Sequence, residues 1–227
     1  MTQFSANLGF LWTELSLPNA IRAAHLAGFE AVECHWPYDT NPEFVNDVLH
    51  ETGLRMLGLN TTRGNHLEGD NGLSALIDQK PQARAAIDQA VAYAVATKCP
   101  KIHVMAGFAS GDEAHETFIG NLRYACNEAE KHDLTILIEP LNEYDAPGYF
   151  LQSTDQALKI IQEIDQSRSF KLSNTYCSAN FADKDQMCSD KQELTRQREM
   201  HSRCGTLDRN YCFSTMHMAY HAFKSTN

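Results

Sequence analysis

The chain has 227 residues, of which 43% are hydrophobic and 21% are charged, and its formal net charge at pH 7 is −10. This length is sufficient for one large hydrophobic core. The acidic balance argues against the phosphate backbone of a nucleic acid as the main partner, because such partners select basic surfaces. The seven cysteines are odd in number and irregularly spaced, which does not indicate a disulfide framework.

The sequence shows no feature that predicts membrane insertion or export. No apolar run approaches the roughly 20 residues that a membrane-spanning helix needs. The first ten residues, MTQFSANLGF, lack a basic region followed by an apolar one. We therefore expect a cytoplasmic protein that does not associate with membranes.

Short apolar runs alternate with helical patterns over residues 4–164. Strands are predicted at 4–10, 29–37, 55–62, 101–107 and 134–142. Helices are predicted at 17–28, 42–53, 80–97, 112–132 and 154–164. A strand–helix unit that recurs at intervals of about 30 residues is typical of a parallel α/β sheet, either closed into a TIM-type barrel or doubly wound. No G-x-G-x-x-G follows the first strand, so a dinucleotide site is not predicted.

This alternation stops near residue 169. Only residues 169–174 resemble a further strand, so five to six βα units are recognisable and the barrel is predicted to be incomplete at its C-terminus. The remainder holds four cysteines without the C-x-x-C spacing of a zinc site, namely Cys177, Cys188, Cys204 and Cys212. We predict a barrel domain over residues 1–174 and an atypical segment of poor order over residues 175–227.

The predicted strand at 134–142, LTILIEPLN, ends in polar residues. A continuous apolar run of this kind is typical of a strand buried on both faces. A carboxylate such as Glu139 at its end is costly to bury without a partner, and in a βα barrel this end opens onto the active-site face. A structural glutamate in a salt bridge is the alternative.

Other polar residues occur in the remaining predicted strands. Glu33 and His35 lie two residues apart and so share one face of their strand. Asn7 and Asn60 are polar positions near the ends of their strands, whereas His103 lies inside the fourth. If the strands are parallel, these side chains meet Glu139 at one face of the sheet. His103 could equally be a core histidine with satisfied hydrogen bonds.

Three blocks of sequence resemble a known family. They are FSANLGFLW at residues 4–12, GFEAVECHWPYD at residues 28–39, and NLRYACNEAEKHDLTILIEPLNEYDAPGYFLQSTDQALKII at residues 121–161. Up to about Ile164 the chain resembles the hydroxypyruvate isomerase family, within the xylose-isomerase-like TIM barrels. The resemblance implies a TIM-type barrel that acts on a small hydroxy-oxo acid.

The implied reaction is an aldose–ketose type isomerisation. It interconverts hydroxypyruvate and 2-hydroxy-3-oxopropanoate through an enediolate and uses a divalent metal, Mg²⁺ or Mn²⁺. A related sugar-acid isomerase of the 2-oxo-tetronate type is the alternative enzyme, and self-association into a homo-oligomer stays open.

The resemblance also implies roles for individual residues. Glu139 matches the glutamate of the family's fifth strand, which is taken as a metal ligand and a proton donor or acceptor. The expected substrate-binding residues are Asn7, Glu33, His35, Asn60, His103 and Asn142. Glu33 and His35 could also be structural.

The sequence departs from the family near its C-terminus. The family's sixth strand ends in a metal-binding D-x-Y-H segment, whereas Asn174 stands here where the family has Asp. A neutral amide is a poorer ligand for a divalent cation than a carboxylate. The later G-H-x-Q segment and the last catalytic glutamate have no counterpart. We therefore expect little turnover, and a catalytically inactive barrel that binds a small molecule or a partner is the competing hypothesis.

Overall fold

The computed structural model describes residues 4–165 and 172–174. In this part of the chain six strands form one sheet in the order β1 to β6, and each strand pairs in parallel with the next. The strands are β1 (Ser5–Asn7), β2 (Ala31–Cys34), β3 (Arg55–Asn60), β4 (Lys101–His103), β5 (Thr135–Ile138) and β6 (Leu172–Asn174). All their carboxyl ends therefore lie at the same edge of the sheet.

Helices connect the consecutive strands, as parallel pairing requires. They are α1 (Leu17–Leu26), α2 (Pro42–Thr52), α3 (Lys80–Thr97), α4 (Asp112–Glu130) and α5 (Thr154–Asp165). Two short 3₁₀ turns precede α3, at His66–Glu68 and Ile77–Gln79. No described helix is long and apolar enough to cross a membrane.

The predicted succession of strands and helices is confirmed, but the strands are shorter than predicted. The fourth was expected over 101–107 and ends at His103, because the chain then leaves the parallel ladder and Ala106 forms an antiparallel bridge with Gly72. The fifth ends at Ile138, two residues before a proline that cannot donate to a ladder. The predicted segment 175–227 lies outside the described residues, so the domain boundary stays a prediction.

The period-two alternation of β5 divides its side chains between the core and a cavity. Ile136 and Ile138 are fully buried in the hydrophobic core. Leu137 and Glu139 point to the opposite side and line the cavity. Burial of an isoleucine stabilises a fold by about 1.5–3 kcal/mol. The core contacts of two isoleucines thus determine which way Glu139 points.

The loop after β3 is fixed against the loop after β4 by a close approach of their backbones. Gly107 has a φ of +94°, and a Cβ there would lie 2.2 Å from the carbonyl oxygen of Gly72. The amide of Gly72 in turn donates to the carbonyl of Arg63 at 2.9 Å. The position of Arg63 therefore depends on two glycines.

We expect Gly107→Ala to destabilise the protein by roughly 2–4 kcal/mol, because it combines a left-handed backbone with a backbone clash. Gly53→Ala is the matched control: its φ is +71° and a Cβ there meets nothing within 4 Å. The control should cost only about 1–2 kcal/mol. Urea unfolding measures both, and equal losses would contradict the close-approach argument.

Candidate active site

A cavity of about 520 Å³ opens at the carboxyl ends of the strands. Its lining includes every predicted site residue for which a side chain is described: Asn7, Glu33, His35, Asn60, His103, Glu139 and Asn142. Asn7 ends β1, Asn60 ends β3 and Glu139 directly follows β5. The structure thus brings these side chains to one cavity, and the roles of these residues stay predictions. The register pairs Asn174 with Ile138, which places its backbone beside the residue that precedes Glu139.

Glu139 and His103 are two titratable residues whose side chains approach each other in this cavity. Their atoms Oε2 and Nδ1 are 3.6 Å apart, and their side chains are 18% and 9% exposed. Burial, and then the neighbouring His35, lower the pKa of His103 to about 3. At neutral pH the imidazole is therefore uncharged. The contact joins a carboxylate to a neutral ring rather than to a cation, and it is longer than a hydrogen bond.

The second ring nitrogen of His103 is buried. Its Nε2 atom has no hydrogen bond within the described part of the chain. An unsatisfied buried polar atom costs about 1–3 kcal/mol. Within the described part of the chain the ring of His103 therefore keeps one nitrogen that is available to a ligand.

His35 is held in position by its neighbours. A Cβ on Gly9 would lie 2.1 Å from its Nδ1 atom, so only glycine fits at that position without displacing the ring. Phe10 packs edge-on against it with ring centroids 4.9 Å apart. Burial, and then the charge of Arg63, lower the pKa of His35 to about 4. Both cavity histidines are therefore neutral at pH 7.

Three other predicted residues make local hydrogen bonds. Asn7 Oδ1 accepts from the amide of Gly9 at 2.9 Å. Asn142 Oδ1 accepts from the amide of Asp145 at 2.9 Å, and Asn142 Nδ2 donates to the Asp145 carboxylate at 2.6 Å. Glu33 accepts from Ser5 Oγ at 3.1 Å. These contacts support a structural contribution from each of the three.

Trp36 and Arg63 line the cavity and were not predicted. The guanidinium carbon of Arg63 lies 4.1 Å from the ring centroid of Trp36. The indole Nε1 donates to the carbonyl of Thr61 at 3.2 Å, which fixes the plane of the ring. One signal could have identified Arg63: it lies in the polar loop after the third strand, and such βα loops form the functional face of a barrel.

The described donors do not form a metal site. No group of three or more His, Cys, Asp or Glu side chains suited to a metal ion occurs among the residues that the structure describes. Glu139 is a suitable oxygen donor, but a divalent cation prefers several such ligands, and Asn174 offers only an amide in place of a carboxylate. The expected Mg²⁺ or Mn²⁺ is therefore not supported by these residues and stays a prediction.

The fold agrees with comparisons to known proteins. Residues 21–206 match the model of the xylose isomerase-like TIM barrel family. The chain belongs to this family.

Two curated relatives and one solved structure show the extent of this similarity. A putative hydroxypyruvate isomerase from Homo sapiens is 41% identical over 172 residues, which are 71% of this chain and 62% of the relative. A 2-oxo-tetronate isomerase from Pectobacterium atrosepticum is 38% identical over 170 residues, which are 73% of this chain and 65% of the relative. The matches thus span less than two thirds of these curated relatives. A solved structure described as AP endonuclease, family 2 from Brucella melitensis is 30% identical with a TM-score of 0.74, covering 87% of this chain and 75% of that one.

Acid is expected to destabilise the fold through the two cavity histidines. The native pKa values of His35 and His103, about 4 and about 3, lie below the ordinary value of 6.5. Between these values the unfolded chain binds protons that the native chain does not, so stability is complete above pH 6.5 and is lost as the pH falls. At pH 5 each histidine should cost roughly 1–2 kcal/mol.

Urea unfolding at pH 7.5 and pH 5 measures this loss. The loss should shrink in His103→Gln and stay unchanged in the control His132→Gln, since His132 is exposed. An identical loss in the wild type and in His103→Gln would show that His103 is not desolvated in the native state.

Calorimetric titration with Mn²⁺ tests the donor set. Because the described residues contain no cluster of three or more His, Cys, Asp or Glu side chains suited to a metal ion, we expect no saturable binding up to about 1 mM, the weak limit of protein Ca²⁺ sites. Tighter binding that Glu139→Gln abolishes would contradict this expectation and show that ligands come from outside the described residues.

Proposed function

We propose that this chain isomerises a small hydroxy-oxo acid, interconverting hydroxypyruvate and 2-hydroxy-3-oxopropanoate. One observation supports this most strongly: the Glu139 carboxylate lies 3.6 Å from the neutral imidazole of His103 in a cavity at the mouth of the barrel. A carboxylate base beside an uncharged hydrogen-bond donor suits proton transfer between adjacent carbons. The names of the curated relatives, hydroxypyruvate isomerase and 2-oxo-tetronate isomerase, support the same reaction class.

In the first half of the proposed reaction Glu139 removes a proton from C3 of hydroxypyruvate. The electron pair of that C–H bond forms the C2–C3 double bond, and the carbonyl oxygen on C2 gains negative charge. His103 donates its ring proton to that oxygen, which gives an enediol. A neutral imidazole is suited to this step because it stabilises the developing charge without itself being a cation.

In the second half the hydroxyl on C3 returns its proton to His103 and becomes the new carbonyl. The double bond collapses toward C2, which takes the proton from Glu139. The product is 2-hydroxy-3-oxopropanoate, and both side chains regain their starting states. Glu139 thus acts first as base and then as acid, and no group is consumed. A divalent metal is assigned no step, because the described donors do not form a site for one.

A binding barrel without turnover is the second candidate. It is favoured by the lack of a metal-binding cluster among the described residues and by Asn174 in place of the family's aspartate.

A role on DNA, which the name of the Brucella structure suggests, is disfavoured by the net charge of −10. A 2-oxo-tetronate substrate remains the alternative acid. Cytoplasmic location and a homo-oligomeric state remain predictions from the sequence.

Substitution of Glu139 tests the proposal directly. We expect Glu139→Gln to reduce turnover of hydroxypyruvate by about 10²–10⁴-fold, the usual contribution of a positioned acid–base group. Glutamine keeps the shape and one acceptor oxygen but cannot accept the proton. Product formation followed by NMR measures the effect.

The control is Glu143→Gln, which removes an exposed carboxylate from the same loop, four residues after Glu139. It should leave turnover within about twofold, since surface changes are usually small in effect. If Glu139→Gln kept full turnover but lowered the unfolding midpoint, Glu139 would be a structural anion. If the wild type formed no product, the binding-barrel hypothesis would replace the isomerase.

A further inference from the structure

The stacked pair of Arg63 and Trp36 has no part in the proton transfers described above. Arg63 lines the cavity, and its side chain is neither fully buried nor fully exposed. The indole of Trp36 covers one face of the guanidinium at 4.1 Å. Within the described part of the chain no N–H group of this guanidinium donates a hydrogen bond. These donors lie in the guanidinium plane, in a fork that matches the two oxygens of a carboxylate.

The charges along the cavity wall place Arg63 on the side of the reacting groups. Its positive charge lowers the pKa of His35, and His35 lies near His103, which contacts Glu139. These residues are therefore neighbours along the wall of the cavity. Because both histidines are neutral at pH 7, Arg63 carries the permanent positive charge in this group.

Lys101 is the other cationic residue among the described residues of the cavity wall, but its place in the sheet is different. It begins β4 and pairs with Thr135. Thr135 lies four residues before Glu139, which corresponds to about 13 Å along a parallel strand. Lys101 therefore belongs to the amino end of the sheet, whereas Arg63 belongs to the mouth.

We propose that Arg63, stacked on the indole of Trp36, binds the carboxylate of the substrate and thereby selects hydroxy-oxo acids over uncharged sugars. This inference rests on the proposed function, because it assigns a binding residue to the carboxylate, the part of the substrate that does not react. A carboxylate held by the guanidinium fork leaves the adjacent C2 and C3 atoms free to reach Glu139 and His103. Stacking on Trp36 limits the rotation of the arginine, so less conformational entropy is lost when the acid binds.

Binding of D-glycerate, a three-carbon hydroxy acid, tests this role without turnover. Isothermal calorimetry on the full chain should show binding that Arg63→Gln weakens by roughly 10- to 100-fold, as expected for a charge-assisted pair. Arg63→Lys should recover part of the loss, because it keeps the charge without the fork. Trp36→Leu should weaken binding by roughly 3- to 10-fold through loss of the stacking.

Two controls test whether binding depends on Arg63 in particular and on the carboxylate of the ligand. Arg123→Gln removes an exposed arginine on α4 and should leave glycerate binding unchanged. Glycerol, which lacks the carboxylate, should bind neither the wild type nor Arg63→Gln. Inorganic phosphate tests for a general anion site, and tighter binding of phosphate than of glycerate to the wild type would overturn the carboxylate assignment.

Turnover separates this inference from the proposed function. If the wild type isomerises hydroxypyruvate and Arg63→Gln raises KM by roughly 10- to 100-fold with little change in kcat, both are supported. If the wild type is active and Arg63→Gln keeps the same KM and glycerate affinity, the carboxylate role is overturned and the isomerase stands. If the wild type binds glycerate through Arg63 without turnover, the carboxylate role stands and the isomerase is overturned.

Discussion

The chemistry proposed for this barrel depends on the burial of His103 beside Glu139. Burial is the main cause that keeps His103 neutral, with a pKa of about 3. In bulk water the same imidazole would titrate near pH 6.5 and form an ordinary ion pair with the carboxylate. Desolvation instead leaves a carboxylate beside an uncharged ring, whose Nε2 atom has no hydrogen-bond partner among the described residues. An enediol intermediate needs such a base and such a donor.

The scaffold creates this contact through register and side-chain alternation. His103 pairs with Leu137 in the parallel ladder, and Glu139 follows two residues later on the same face of its strand. The residues of β5 on the opposite face, Ile136 and Ile138, are fully buried in the core. A shift of one residue in β5 would exchange the isoleucines and the glutamate between core and cavity, so packing of the core protects the site. The Gly72–Gly107 approach similarly fixes the loop that presents Arg63.

The order of elements could be predicted because it follows from periodicity, whereas the set of candidate site residues depended also on the resemblance to a known family. Glu139 ends a continuous apolar run, and in the structure it directly follows β5. Strand lengths could not be predicted, because β4 ends where the chain bridges to Gly72, a contact distant in sequence. The Arg63–Trp36 pair was missed for the same reason: 27 positions separate its members. The neutral state of His103 depends on burial, which a single sequence does not show.

Transfer of deuterium from solvent tests the proton-transfer account most directly. The chain would be incubated with hydroxypyruvate in D₂O and the product examined by NMR at C2. Because a carboxylate that carries the proton exchanges it with solvent, the account predicts deuterium at C2 of 2-hydroxy-3-oxopropanoate, formed by the wild type and lost with Glu139→Gln. Product formed at the wild-type rate by Glu139→Gln, with only protium at C2, would contradict the account, since the hydrogen would then have moved without this carboxylate.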